Sequence, residues 1–200
     1  MNSLKKIILN TKGLLVAASV LASGSVFAHP GHEHASSFMT GFSHPMGGLD
    51  HLLAMVAIGL WAASIGGRAL WAIPVAFVMT MILGGGLAVA GMSVPFVEQG
   101  ILLSVIVLGA FVLFAKRLPI LVCVAIAGAF ALFHGAAHGM EMPLTANGLQ
   151  YALGFAVATA GLHVVGLGLG QMMTTIGTSS FATRISGFVI SLTGLVLAFA

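Results

Sequence analysis

The stretch LPILVCVAIAGAFALFHG, Leu118–Gly135, points to a membrane protein because it contains no Asp, Glu, Lys or Arg. Its length is close to the about 20 residues with which a helix crosses the hydrocarbon core of a bilayer. Apolar runs of similar length recur along the chain, without the period-two alternation of barrel strands. The expected spans are Met46–Ile65, Ala69–Ala90, Val97–Ala115, Leu118–Gly135, Leu149–Met172 and Ile185–Phe199. The sequence therefore predicts an all-α fold, a polytopic membrane helix bundle of about six transmembrane helices.

The composition excludes most other classes of protein. Hydrophobic residues make up 59% of the 200 residues and charged residues only 6%, whereas a soluble domain carries about 25% charged residues. Such a chain has too little charge for a soluble enzyme and is too apolar for a disordered protein. It also lacks a P-loop pattern, so no ATPase is built into it.

Residues 1–28 resemble a cleavable signal peptide. The basic n-region carries Lys5, Lys6 and Lys12. The apolar core Leu14–Leu21 is shorter than a membrane span, and Val26 and Ala28 place small residues at positions −3 and −1 of a cleavage site. An uncleaved membrane helix is the alternative. Cleavage after Ala28 leaves a His-rich periplasmic tail, residues 29–43, followed by a six-span domain, residues 44–200.

The remaining basic residues predict the orientation in the membrane. After removal of residues 1–28 they are Arg68, Lys116, Arg117 and Arg184. All of them fall on the cytoplasmic side if the mature N-terminus is periplasmic, as the positive-inside rule requires. The mature chain then has as many acidic as basic residues, so the basic pI implies no nucleic-acid partner. We expect a multi-pass protein of a bacterial inner membrane, in contact with the lipid bilayer.

The segment HPMGGLDH, residues 44–51, places two histidines and an aspartate at the entrance of the first span. Pro45 is suited to the first turn of a helix. If that helix continues, His44 and His51 lie within about 20° of the same face. Asp50 points about 100° away and would either approach the site from the side or orient a neighbouring ligand. The alternative is a helix start that is merely capped by polar residues.

A second cluster lies at the end of the fourth span. His134, His138 and Glu141 are spaced i, i+4 and i+7, which places two imidazoles and a carboxylate on one helical stripe. With the predicted orientation, this cluster and the first one share the periplasmic end of the bundle. His163 lies deeper, in the fifth span, as the next site along a path or as a packing residue. Ionisable groups at membrane depth are expensive and usually functional.

Imidazole nitrogens with a few carboxylate oxygens suit Ni²⁺, Co²⁺, Zn²⁺ and Cu²⁺, whereas Mg²⁺ and Ca²⁺ prefer all-oxygen sites. In the tail, His29, His32 and His34 would collect metal ions. We therefore expect a divalent transition metal ion as the ligand and no prosthetic group.

The sequence resembles the HupE/UreJ family of nickel/cobalt permeases. The resemblance rests on HPMGGLDHLLAMVAIGLWA (His44–Ala62), FHGAAHGME (Phe133–Glu141), the isolated His163 and the six-span plan. It implies an uptake permease for Ni²⁺ or Co²⁺ and an indirect link to hydrogenase, urease or cobalamin pathways. By resemblance, the metal-handling residues are His44, Asp50, His51, His134, His138, Glu141 and His163. The other nickel–cobalt transporter family has a similar His-Asp-His spacing but eight spans.

The competing interpretation is a membrane-embedded zinc-dependent hydrolase that uses the same histidines and carboxylates. Three histidines and a carboxylate can hold Zn²⁺ with an open water position. However, no HExxH pattern occurs and acidic residues are few. A metal sensor without transport of its own is a third possibility. The sequence favours a transporter over an enzyme.

Overall fold

A computed structural model describes residues 36–115, 118–175 and 179–200. These residues form α-helices and no strand: α1 (Ser37–Gly47), α2 (Leu49–Ile65), α3 (Ala69–Val89), α4 (Val97–Phe114), α5 (Ile120–Met140), α6 (Gly148–Thr175) and α7 (Ser179–Ala198). The all-α prediction is confirmed for this part of the chain. The signal peptide, the tail histidines, Lys116 and Arg117 lie outside the described residues.

Helices α3 to α6 lie on the predicted spans, with ends within five residues of the predicted ones, whereas α7 begins at Ser179, six residues before the predicted start at Ile185. These 5 helices are long and apolar enough to cross a membrane, and α1 and α2 would supply a further span if together they form one broken span. Helix α5 continues past the predicted end of its span to Met140. His138 therefore belongs to the helix rather than to a loop.

The first predicted span is broken. Helix α1 begins at Ser37, whose preceding residue Ser36 accepts a hydrogen bond from the Met39 backbone N–H at 3.3 Å. Pro45 thus lies in the last turn of a helix, and the prediction that it begins one is wrong. Gly48 then adopts an extended conformation (φ −109°, ψ 129°), and α1 and α2 are bent by 84°. The Asp50 carboxylate occupies the space beside Gly48, where a Cβ would lie 2.6 Å from Oδ1.

Helix α2 is the centre of the bundle. It contacts α1, α3, α4, α6 and α7, and almost every residue between Ala54 and Ala62 is buried. A helix that is apolar on all sides is stable in such a central position. The polar residues of α2 are therefore confined to its two ends, and His51 lies at the first of them.

Close contacts between glycines hold α2 against α6. A Cβ on Gly166 would meet the Val56 carbonyl oxygen and would lie 3.0 Å from the Gly59 Cα. Small residues allow this approach in lipid, where no hydrophobic force drives helices together. Gly85 and Gly135 allow the same close approach between α3 and α5. Helix α3 runs unbroken through Gly84–Gly86, which agrees with tight packing.

Candidate metal centre

His44, at the end of α1, contacts two residues of the second cluster, Glu141 and His138. Its Nε2 lies 2.7 Å from Glu141 Oε2, and its ring centroid lies 4.8 Å from that of His138. Glu141 directly follows the last residue of α5. The carboxylate therefore bonds to a histidine of another helix. Half of the Glu141 side chain is exposed, so the His44–Glu141 contact lies at the surface of the cluster.

Asp50 orients His51 at the start of α2. Its Oδ1 accepts hydrogen bonds from the His51 backbone N–H at 2.7 Å and from the His51 ring at Nδ1, at 3.0 Å. A carboxylate near a helix N-terminus is also favoured by the helix dipole. Asp50 therefore holds the His51 ring in place. The second ring nitrogen of His51, Nε2, is buried and has no hydrogen-bond partner.

His134 and His138 of α5 both face His51. The ring centroids of His134 and His138 lie 4.8 Å and 5.1 Å from that of His51. The predicted stripe on α5 thus exists for its two histidines, which are completely buried, whereas its third member, Glu141, follows the helix. His138 also stacks on Phe155 of α6, with ring centroids 4.9 Å apart. Four histidines from three helices are therefore linked by ring contacts in the order His44, His138, His51 and His134.

The predicted arrangement of the first cluster is wrong in one respect. His44 and His51 do not share one helical face, because the chain bends by 84° between them. They meet instead through His138, which contacts both rings. Within the described ranges, no three His, Cys, Asp or Glu side chains form an arrangement that could hold one metal ion as they stand.

His163 of α6 lies apart from the four clustered histidines. It is buried, and neither ring nitrogen has a hydrogen-bond partner. The ring of Phe77, on α3, contacts His163 and His134 with centroid distances of 5.3 Å and 5.6 Å. Phe77 therefore links the cluster to the deeper histidine. Thr159, one turn before His163, contacts the Met81 sulfur instead of the imidazole.

Three residues near the cluster were missed by the sequence analysis: Ser104, Tyr151 and Phe77. Ser104 Oγ lies 2.8 Å from His134 Nε2. The Tyr151 ring lies 6.0 Å from His44, and its hydroxyl is buried without a partner. The sequence marks Ser104 only as a polar residue within the apolar run of α4. No spacing rule relates any of these residues to the histidine motifs.

Buried imidazole nitrogens without partners are the distinctive feature of the cluster and of His163. His51 Nε2, His134 Nδ1, both nitrogens of His138 and both nitrogens of His163 lack hydrogen-bond partners. Buried polar atoms are normally paired, because leaving one unpaired costs about 1–3 kcal/mol. Imidazole lone pairs that are free at membrane depth are able to bind a borderline divalent cation.

Comparison with known proteins agrees with the motifs. The family model described as HupE / UreJ protein matches residues 16–197. The chain belongs to the HupE/UreJ family. A relative named Protein HupE, from Rhizobium leguminosarum bv. viciae, is 42% identical over 170 residues, which cover 85% of this chain and 88% of the relative. No solved structure matches the chain.

Membership of the HupE/UreJ family confirms the resemblance inferred from His44–Ala62 and Phe133–Glu141. The match spans all the described helices, so the relationship is not limited to one motif. Together with the long apolar helices, it identifies a multi-pass membrane protein. The histidine cluster of this HupE/UreJ protein is thus assembled inside a membrane-spanning bundle.

Proposed function

We propose that the chain is a bacterial inner-membrane permease that takes up a divalent transition metal ion, Ni²⁺ or Co²⁺. The observation that supports this most strongly is the set of buried, unpartnered imidazole nitrogens contributed by α2 and α5. The ion is the transported substrate and no enzymatic step is required. Family membership and the nitrogen-rich ligand set both favour these ions over Mg²⁺ or Ca²⁺.

In this proposal the ion enters at the periplasmic end of the bundle. His29, His32 and His34 raise its local concentration, and the pair of partly buried His44 and exposed Glu141 receives it first. It then passes to the nitrogens of His51, His134 and His138, which replace part of its hydration shell. Side-chain rotations are needed to bring these nitrogens onto one ion. His163, beyond Phe77, is the next ligand toward the cytoplasm.

The membrane potential is a sufficient driving force. A divalent ion that enters a cell with a potential of about 100 mV, negative inside, gains about 4.6 kcal/mol. This supports an accumulation of about a thousandfold. An ATPase is therefore unnecessary on energetic grounds. Ligands from several helices also suit a site that must release its ion.

Proteoliposomes that contain the full chain test this function. We expect Ni²⁺ or Co²⁺ to accumulate inside when a potassium diffusion potential makes the interior negative, and to equilibrate without accumulation at zero potential. Zn²⁺ and Cu²⁺ measured in parallel give the selectivity, and protein-free vesicles give the leak. If no ion moves faster than the leak while purified protein retains one zinc through dialysis, the hydrolase interpretation replaces the permease.

The Asp50–His51 hydrogen bond leads to a specific prediction. Asp50→Asn removes the negative charge that holds His51 Nδ1–H, and we expect metal uptake per molecule to fall by about 10–100-fold, as for other partners of metal-ligating histidines. Uptake of radiolabelled Ni²⁺, normalised to the amount of folded protein, measures the effect.

Asn147→Ala is the matched control for Asp50→Asn. Asn147 Oδ1 accepts the Gln150 backbone N–H at 3.0 Å at the start of α6, so its replacement also removes a helix-terminal side-chain bond. This change costs about 0.5–2 kcal/mol of stability but leaves His51 untouched, and uptake per molecule should stay unchanged. Equal uptake by Asp50→Asn and the wild type would contradict the role of Asp50.

A further inference from the structure

Ser104 of α4 connects a helix without any motif residue to the histidine cluster. Its side chain is completely buried. The Oγ atom lies 2.6 Å from the Ile101 carbonyl oxygen and 2.8 Å from His134 Nε2. A hydroxyl has one proton to donate and two lone pairs with which to accept. The positions of these two partners determine where that proton lies.

The hydroxyl proton of Ser104 points to the Ile101 carbonyl. Two oxygens 2.6 Å apart repel each other unless a hydrogen lies between them, and the carbonyl has no hydrogen to give. The Ser104 oxygen must then accept the second hydrogen bond, which makes His134 Nε2 the donor. A neutral imidazole carries its proton on one nitrogen only, so the lone pair of His134 is on Nδ1, which is buried and unpartnered.

His51 is held in the opposite tautomer. The Asp50 carboxylate can only accept, so a neutral His51 donates from Nδ1 and keeps its lone pair on Nε2. Nε2 is likewise buried without a partner. The two rings are neighbours, with centroids 4.8 Å apart. Asp50 and Ser104 therefore leave one free lone pair on each of two adjacent imidazoles.

We propose that Ser104 is a positioning residue of the metal path, which fixes His134 as the Nε2–H tautomer and so presents Nδ1 to the transported divalent cation. The inference rests on the proposed function. Hydrogen bonds to the second nitrogen commonly set the tautomer and orientation of metal-ligating histidines. Without the serine hydroxyl, His134 has no partner that selects one tautomer, and part of the population presents a protonated Nδ1 that cannot bind metal.

The test uses the full chain with Ser104→Ala and Ser104→Thr. We expect Ser104→Ala to raise the KM for Ni²⁺ uptake by about 10–100-fold with little change in the maximal rate per folded molecule. Ser104→Thr keeps the hydroxyl and should restore a KM close to that of the wild type. Ser64→Ala is the matched control, because Ser64 Oγ donates to the Trp61 carbonyl at 2.7 Å in the same i−3 arrangement without touching a histidine.

A spectroscopic measurement separates this inference from the proposed function. Nitrogen NMR of histidine-labelled protein, with His134→Gln to assign the signal, should detect His134 protonated at Nε2 in the wild type and a mixture of tautomers in Ser104→Ala. A wild-type His134 protonated at Nδ1 would overturn the inference, whether or not the protein transports metal. An unchanged KM in Ser104→Ala would overturn it as well. Failure of transport in the wild type, with the Nε2–H tautomer observed, would overturn only the permease.

Discussion

His138→Phe is expected to abolish metal uptake while leaving the protein folded. The phenyl ring is one ring atom larger than imidazole but is also planar and aromatic, so it keeps the stacking on Phe155, where the ring centroids lie 4.9 Å apart. What it removes is two buried nitrogens without partners, at the position where His44 and His51 converge. Removal of a residue that hydrogen-bonds to a metal ligand lowers activity by about 10–100-fold. Removal of the ligand itself should lower uptake by more than that.

Radiolabelled Ni²⁺ and Co²⁺ uptake, divided by the amount of protein in the membrane, measures the effect of His138→Phe. Cys123→Ala serves as a control, since Cys123 is a completely buried residue near the other end of the same helix. This variant loses packing atoms but no imidazole and should transport at the normal rate per molecule. If His138→Phe transported like the wild type, His138 could not be a ligand on the path.

Gly166→Val is expected to prevent correct packing of the bundle. A Cβ at this position meets backbone atoms of α2, namely the Val56 carbonyl oxygen and the Gly59 Cα. Backbone cannot rotate away as a side chain can, so α2 and α6 must separate. Overpacking a well-packed core costs about 1–3 kcal/mol, and we expect at least the upper end here. Thermal unfolding in detergent and the monodisperse fraction in size-exclusion chromatography report this loss.

Gly168→Val provides a control on the same helix. Gly168 is exposed, and no atom would lie within 4 Å of an added Cβ. Both variants place the same β-branched residue in α6, so they share any effect of helix propensity. Stability of Gly168→Val close to that of the wild type would isolate the contribution of interhelical contact. Equal destabilisation by the two variants would refute the importance of close approach at Gly166.

The histidine motifs differ in how far local spacing predicted their geometry. On α5 the i, i+4 pattern is sufficient, because His134 and His138 lie in one unbroken helix and face the same neighbour. Between His44 and His51 the same reasoning fails, because Gly48 is extended and no helical period continues through it. The two residues nevertheless meet, through a contact with another helix.

The amino-acid sequence by itself determined the class of the protein, five of its spans and the types of residue that can bind metal. These properties are local: each apolar run favours lipid through its own composition, and imidazole binds borderline metals wherever it lies. Only the tertiary structure decided that α1 turns by 84° toward His138, that Ser104 bonds to His134 and that Phe77 lies against both His134 and His163. These contacts join residues far apart in the chain, and their geometry depends on how closely helices pack, which no local pattern encodes.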